Sequence, residues 1–241
     1  MKRIVLQLSA SIVFFANASS VFASATVSTL ANASVSADTV GGAYTTLTGP
    51  QLDEAVNGDI HAPGTIVLRA PAGFIFDTTS TVTVTVSRLN ASSSALLTLS
   101  NATAAVSSNA ITVGVASADG SSGNPKPLAR LVWSGIKVRP TAGTPLASGT
   151  ITSSGTASII GVSGTTSFGS LTERPGNAVS LTAGGYGLTR TAGQNGTLTV
   201  TAKDQFGNTA TNYTGTVHIS TTDSQATPPA DYTFSAVDAG V

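Results

Sequence analysis

Thr197–Ser220, TLTVTAKDQFGNTATNYTGTVHIS, holds two alternating runs joined by a polar loop. Val200 and Ala202 share the side of the first run that would face a core, as a half-buried strand requires. In the second run His218 stands between Val217 and Ile219, which points it outward. Asp204, Gly207 and Asn208 fall at the bend. Asp204 and Asn208 suit a turn because their side chains accept backbone amides, and Gly207 supplies a positive φ. The stretch reads as strand, turn, strand.

The chain opens MKRIVLQLSASIVFFANASSVFASA. Lys2 and Arg3 form a basic start, and Ile4 to Phe15 is apolar apart from Gln7, Ser9 and Ser11. Val21-Phe22-Ala23 and Ala23-Ser24-Ala25 both suit signal-peptidase cleavage. The apolar run is shorter than the roughly 20 residues that cross a bilayer. Residues 1–25 therefore read as a cleaved signal peptide, and the mature chain as secreted or held at the cell surface. No later stretch is apolar for long enough to span a membrane.

Of 11 Lys and Arg, 9 remain once Lys2 and Arg3 leave with the leader, against 11 Asp and Glu, a net charge of −2. That balance offers no attraction for nucleic acid or an anionic membrane. Charged residues make up only 9%, far under the usual quarter, so solubility rests on hydroxyls and amides. Thr and Val favour strands, while Gly and Asn favour turns. The chain has no cysteine, so an exported form relies on packing alone.

Residues 26–38 read as a mature N-terminal segment or first edge strand. Gly64–Ala70, Thr81–Val86, Ala95–Ser100 and Ala110–Val115 read as strands. Thr81–Val86, TVTVTV, places three valines on one face and three threonines on the other. Ala129–Arg139 reads as the longest strand, with Ala129, Leu131 and Trp133 buried, a bulge at Gly135, then Ile136 and Val138 buried. Thr150–Thr152 and Ala157–Ile160 add short strands. Gln51–Val56 is predicted as the one helical turn. Glu173-Arg174-Pro175-Gly176-Asn177 reads as a polar boundary, with a new strand at Val179. The predicted organisation is a β-sandwich over 26–174, with eight to ten short antiparallel strands, and a second unit over 175–241. A right-handed β-helix would need a repeat of roughly 20–25 residues, and none is present.

From Asn177 the chain resembles the immunoglobulin-like repeats of bacterial surface proteins, the group that includes Big and invasin/intimin-type domains. Leu198–Asp204, Phe206-Gly207-Asn208, Tyr213–Val217 and Pro229–Phe234 carry the resemblance. It implies an immunoglobulin-like sandwich used as spacer, stalk or adhesive tip. Seven strands need about 90–100 residues, whereas 177–241 supplies 65. The expectation is an incomplete sandwich with an unpaired edge, its last strands missing, and further repeats in the full-length protein.

Site chemistry is sparse. Asp53, Glu54, Asp59 and His61 allow a metal cluster to be drawn, although a solvated loop explains them better. Calcium between loops would draw on Asp204, Asn208, Asp223 and Asp231. Ser134 and Lys137 match a Ser-x-x-Lys spacing, but strand alternation puts them on opposite faces. Glu54 and Glu173 are the only glutamates, which leaves little for a carboxylate-pair hydrolase. Trp133 is the single tryptophan and reads as core in phase with Leu131, not as a sugar platform. Asn32, Asn90, Asn101, Asn195 and Asn212 form sequons of the kind a Ser/Thr/Asn-rich chain produces by chance. The expected protein is a non-catalytic surface module with a structural or adhesive role, no cofactor and an unspecified protein or glycan partner. A carbohydrate-binding module is the alternative.

Overall fold

A computed structural model describes residues 23–187, 189 and 191–241. Most of the expected leader, through residue 22, lies outside them. The first unit contains β1 Thr26–Thr29, β2 Ala33–Ser36, β3 Thr45–Thr46, β4 Gln51–Asp53, β5 Gly64–Arg69, β6 Phe74–Phe76 and β7 Thr83–Arg88. It continues with β8 Thr98–Leu99, β9 Ala105–Ser107, β10 Ala110–Ser117, β11 Ala129–Ser134, β12 Lys137–Pro140, β13 Ser148–Ser154 and β14 Gly169–Arg174. The second unit contains β15 Ser180–Gly184, β16 Thr199–Lys203, β17 Thr216–Val217 and β18 Tyr232–Thr233. The chain is all-β, interrupted among the described residues by one 3-10 turn at Ala37–Thr39.

One sheet of the sandwich runs β1-β4-β11-β7. Another runs β2-β14-β13-β5-β10-β8, with β9 also on β10, and β3-β12-β6 forms a short third sheet. Strand pairing is antiparallel except between β2 and β14, which run parallel. Alternation explains which residues meet. Leu131 and Trp133 from β11, Val84 from β7 and Leu52 from β4 join Ile66 and Leu68 of β5, Ile111 and Val113 of β10, Ile151 of β13 and Leu171 of β14 in one core. Each such aliphatic side chain contributes about 1.5–3 kcal/mol relative to exposure. Trp133 is buried and meets the edge of Phe168 at a centroid distance of 6.2 Å and 82°.

Four sequence expectations change; one is Ala157–Ile160, which holds only an isolated bridge from Ile159 to Ile60 and no strand. Gln51–Asp53 is a strand, not a helical turn: Leu52 is fully buried and pairs with Val27 on one side and Leu131 on the other. Pairing on both edges outweighs the helical preference of a Gln-Leu-Asp-Glu-Ala run. Ala129–Arg139 is two strands in two sheets, because the chain leaves β11 at Ser134 and enters the third sheet at Lys137. Gly135 makes that corner with φ +81°, and a Cβ there would lie 2.4 Å from the Thr81 carbonyl oxygen. Finally, Glu173 and Arg174 are the end of β14 and not a break in pairing; Glu173 is buried opposite Val35.

Residues 175–241 form two separate two-stranded sheets, β15-β16 and β17-β18. Their buried apolar side chains are Ala202, Ala210, Val217 and Phe234, with the Tyr213 and Tyr232 rings edge-on to Phe234. Every residue of β15 is exposed, and Val179, Leu181, Tyr186, Leu198, Tyr232 and Val237 remain open to solvent.

Candidate functional site

The Asp204–Asn208 bend is where the two units meet. Asp204 Oδ1 accepts the Phe206 and Asn208 backbone N–H groups at 2.9 Å each, the local turn chemistry its sequence suggests. Asp204 Oδ2 accepts the Asn208 side-chain amide at 2.9 Å and the backbone N–H of Gly176, 28 positions earlier, also at 2.9 Å. Burial pushes the carboxyl up, but the donors from Asn208, Gly176 and Phe206 outweigh it and hold Asp204 below the usual carboxylate range. Gly207 takes φ +84°, the positive value the turn requires.

Two further contacts seat the bend on the sandwich. Asn208 Nδ2 also donates to the Gly143 carbonyl at 2.7 Å. The Phe206 ring covers Gly143 so closely that a Cβ there would lie 2.1 Å from Phe206 Cδ2. Asn177 N–H donates to Asp38 Oδ2 at 2.8 Å, and the Asn212 amide donates to Asn177 Oδ1 at 3.0 Å. Beneath the joint Glu173 Oε2 accepts Ala147 N–H, whereas its buried Oε1 has no partner. Burial, aided by the charge of Asp204 and opposed by the Ala147 N–H, raises the Glu173 carboxyl.

The calcium candidates are already engaged. Asp204 and Asn208 bond each other, Asp223 Oδ1 caps Gln225 N–H, and Asp231 pairs with His218 Nδ1 at 2.6 Å on the surface. Among the described residues no three His, Cys, Asp or Glu side chains are placed to hold a metal ion. The second cluster is equally occupied. Asp53 forms a two-pronged ion pair with Arg130, Asp59 Oδ2 accepts Ala55 and Val56 N–H, and Glu54 accepts Ile60 and Ala129 N–H. The His61 residue is exposed. Ser134 bonds Thr83 across β7, and Lys137 lies in a different sheet.

Sequence reasoning missed Asp119. It lies in the loop after β10, buried, with one oxygen on Leu97 N–H and the other, Oδ2, without a partner. Glu54 is the neighbouring acid. Its carboxyl is pushed up to about 8, first by burial and then by Asp119. No local motif marks this pair, because an Asp-Gly step inside a Ser/Gly loop reads only as a turn.

Shallow clefts lie at two places among the described residues. One of about 240 Å³ lies at the joint, lined by Ser36, Arg174, Pro175, Asn177, Thr211 and Asn212. The other, about 200 Å³, lies between the end of β13 and the loop that follows, lined mainly by Ser153, Ser154, Ser158 and Ser163 with Ile159 and Val162. Neither brings two titratable side chains together. Comparisons with protein families, curated proteins and solved structures find no match. Among the described residues no helix is long and apolar enough to cross a membrane.

Proposed function

We propose that the chain is a secreted or cell-surface modular protein with a structural or adhesive role and no catalytic activity. In this reading the sandwich presents a fixed seat for the immunoglobulin-like unit over 175–241. The observation that carries it is the use of one side chain, Asn208, both to close the turn of the second unit on Asp204 and to donate to the Gly143 carbonyl of the first. A spacer needs neighbouring modules held at a set angle, and a joint with charge-assisted hydrogen bonds and a ring packed on glycine supplies that. The exposed apolar residues Val179, Leu181, Leu198 and Val237 offer contact area for further repeats or a protein partner. Protease treatment of intact cells tests the reading: loss of the chain with cytosolic markers spared is expected. Protection until lysis would count against it.

A second reading, glycan binding, draws on the hydroxyl, amide and guanidinium groups around the joint cleft. Glycan-array binding that disappears in Arg174→Ala would favour it.

A further inference from the structure

The second strand of the sandwich and its last lie side by side. β2 pairs with β14 in parallel, with Ala33, Ser34, Val35 and Ser36 opposite Leu171, Thr172, Glu173 and Arg174. The contact extends beyond the ladder at both ends. Ala31 N–H donates to the Phe168 carbonyl at 2.9 Å, Asn32 Oδ1 accepts Ser170 N–H at 2.7 Å, and Asp38 Oδ2 accepts Asn177 N–H at 2.8 Å. Ala31, Val35 and Leu171 are fully buried, so water has poor access to compete for these bonds.

Direction decides how such a seam responds to tension. The chain before β2 departs beside Leu171, and the chain after β14 departs beside Ser36, at opposite ends of the same seam. A pull on the two ends slides the strands along each other and loads all of their cross-links together. If both strands were pulled from one end, the links would break singly. The second unit begins directly after Arg174 and its Asp204 turn bonds Gly176, two residues beyond, so tension through it enters at the end of β14.

We propose that the β2–β14 seam is a mechanical clamp, and that the sandwich bears tensile load between the chain entering β2 and the unit seated after β14. Load bearing deepens the surface-module reading, on which its biological use rests. The clamp itself is a property of the fold that can be measured in isolation.

Single-molecule pulling on the full chain tests it. Because the protein has no cysteine, paired cysteines place the handles without background. Leu30→Cys with Arg174→Cys loads the seam lengthwise; Ala43→Cys with Arg174→Cys loads it from one end, and all three native residues are exposed. The lengthwise pair is expected to rupture at several-fold higher force, in one event whose released length approaches that of residues 33–174, about 3.3–3.6 Å per residue. Equal rupture forces in the two geometries, or early release of β2 as a separate small step, would overturn the clamp. Protease treatment of cells reports separately on location, so failure of either idea leaves the other measurable.

Discussion

The ring of Phe206 occupies the space that a side chain on residue 143 would need, so Gly143 and Phe206 form a socket and plug between the two units. Any residue larger than glycine at 143 must displace the ring. Gly143→Val is therefore expected to free the second unit while leaving the sandwich folded. In 15N relaxation the two units would then tumble with different correlation times, whereas in the parent they share one. A single correlation time in the variant would contradict the socket.

Asp204→Ala removes the acceptor for four hydrogen bonds, one of them from Gly176 at the start of the second unit. The loss is expected to cost the second unit about 2–4 kcal/mol, the scale of unmaking charge-assisted and buried bonds. The pH dependence follows from direction. A carboxyl held below its usual range stabilises the fold above its unfolded pKa and loses that contribution as pH falls through the folded one. Acid should thus loosen 175–241, and Asp204→Ala should lack that acid transition. Hydrogen exchange at Phe206 and Asn208 from pH 6 to 3 reads it directly.

Glu54 has the opposite sign. Its carboxyl is raised to about 8 beside Asp119, so the folded sandwich retains a proton that the unfolded chain gives up near its ordinary value. The stabilisation is complete below about pH 4.5 and is lost as pH rises toward about 8. Urea midpoints should fall across that window. Glu54→Gln, which keeps the shape without the charge, should flatten the profile; an unchanged slope in that variant would show that the pair does not set it.

Trp133→Ala should destabilise the sandwich by about 3–5 kcal/mol through lost burial and the cavity left against Phe168. In the parent, tryptophan emission should be blue-shifted and resist acrylamide. Ready quenching would mean the ring is not where the core places it.

Gly135→Ala should cost more than the roughly 1 kcal/mol of an ordinary left-handed alanine. The added methyl meets the Thr81 carbonyl as well as an unfavourable φ. Thermal melts compared with Gly207→Ala, which has open space around it, separate the two contributions.

How much of this was legible in the sequence depended on whether the deciding partner was local. Thr83–Val86 and Ala129–Trp133 announce themselves by apolar residues at every second position, and Gly64–Arg69 by its unbroken β-branched and leucine run Ile66-Val67-Leu68. β14 does not: of its inward residues Gly169, Leu171 and Glu173, only one is a large apolar side chain, and Glu-Arg-Pro-Gly resembles a linker. The Asp204 turn was readable in full, since its first donors lie two and four residues away. Its bonds toward Gly176 and Gly143 were not, because nothing near residue 204 encodes positions 28 and 61 residues earlier. Glu54 and Asp119 fail to show for the same reason, being 65 residues apart in the chain.

The pairing of Ala33–Ser36 with Leu171–Arg174 also sets an order of events. A chain made from its N-terminus exposes β2 early, but its partner is the last strand of the sandwich to appear. Until residue 174 is out, Val35 has no β14 to pair with and the sheet containing β5, β10 and β13 lacks its border. Closure is therefore a late, long-range step, slow in the way that pairings distant in sequence are slow. The sandwich stays open for the whole of its own synthesis.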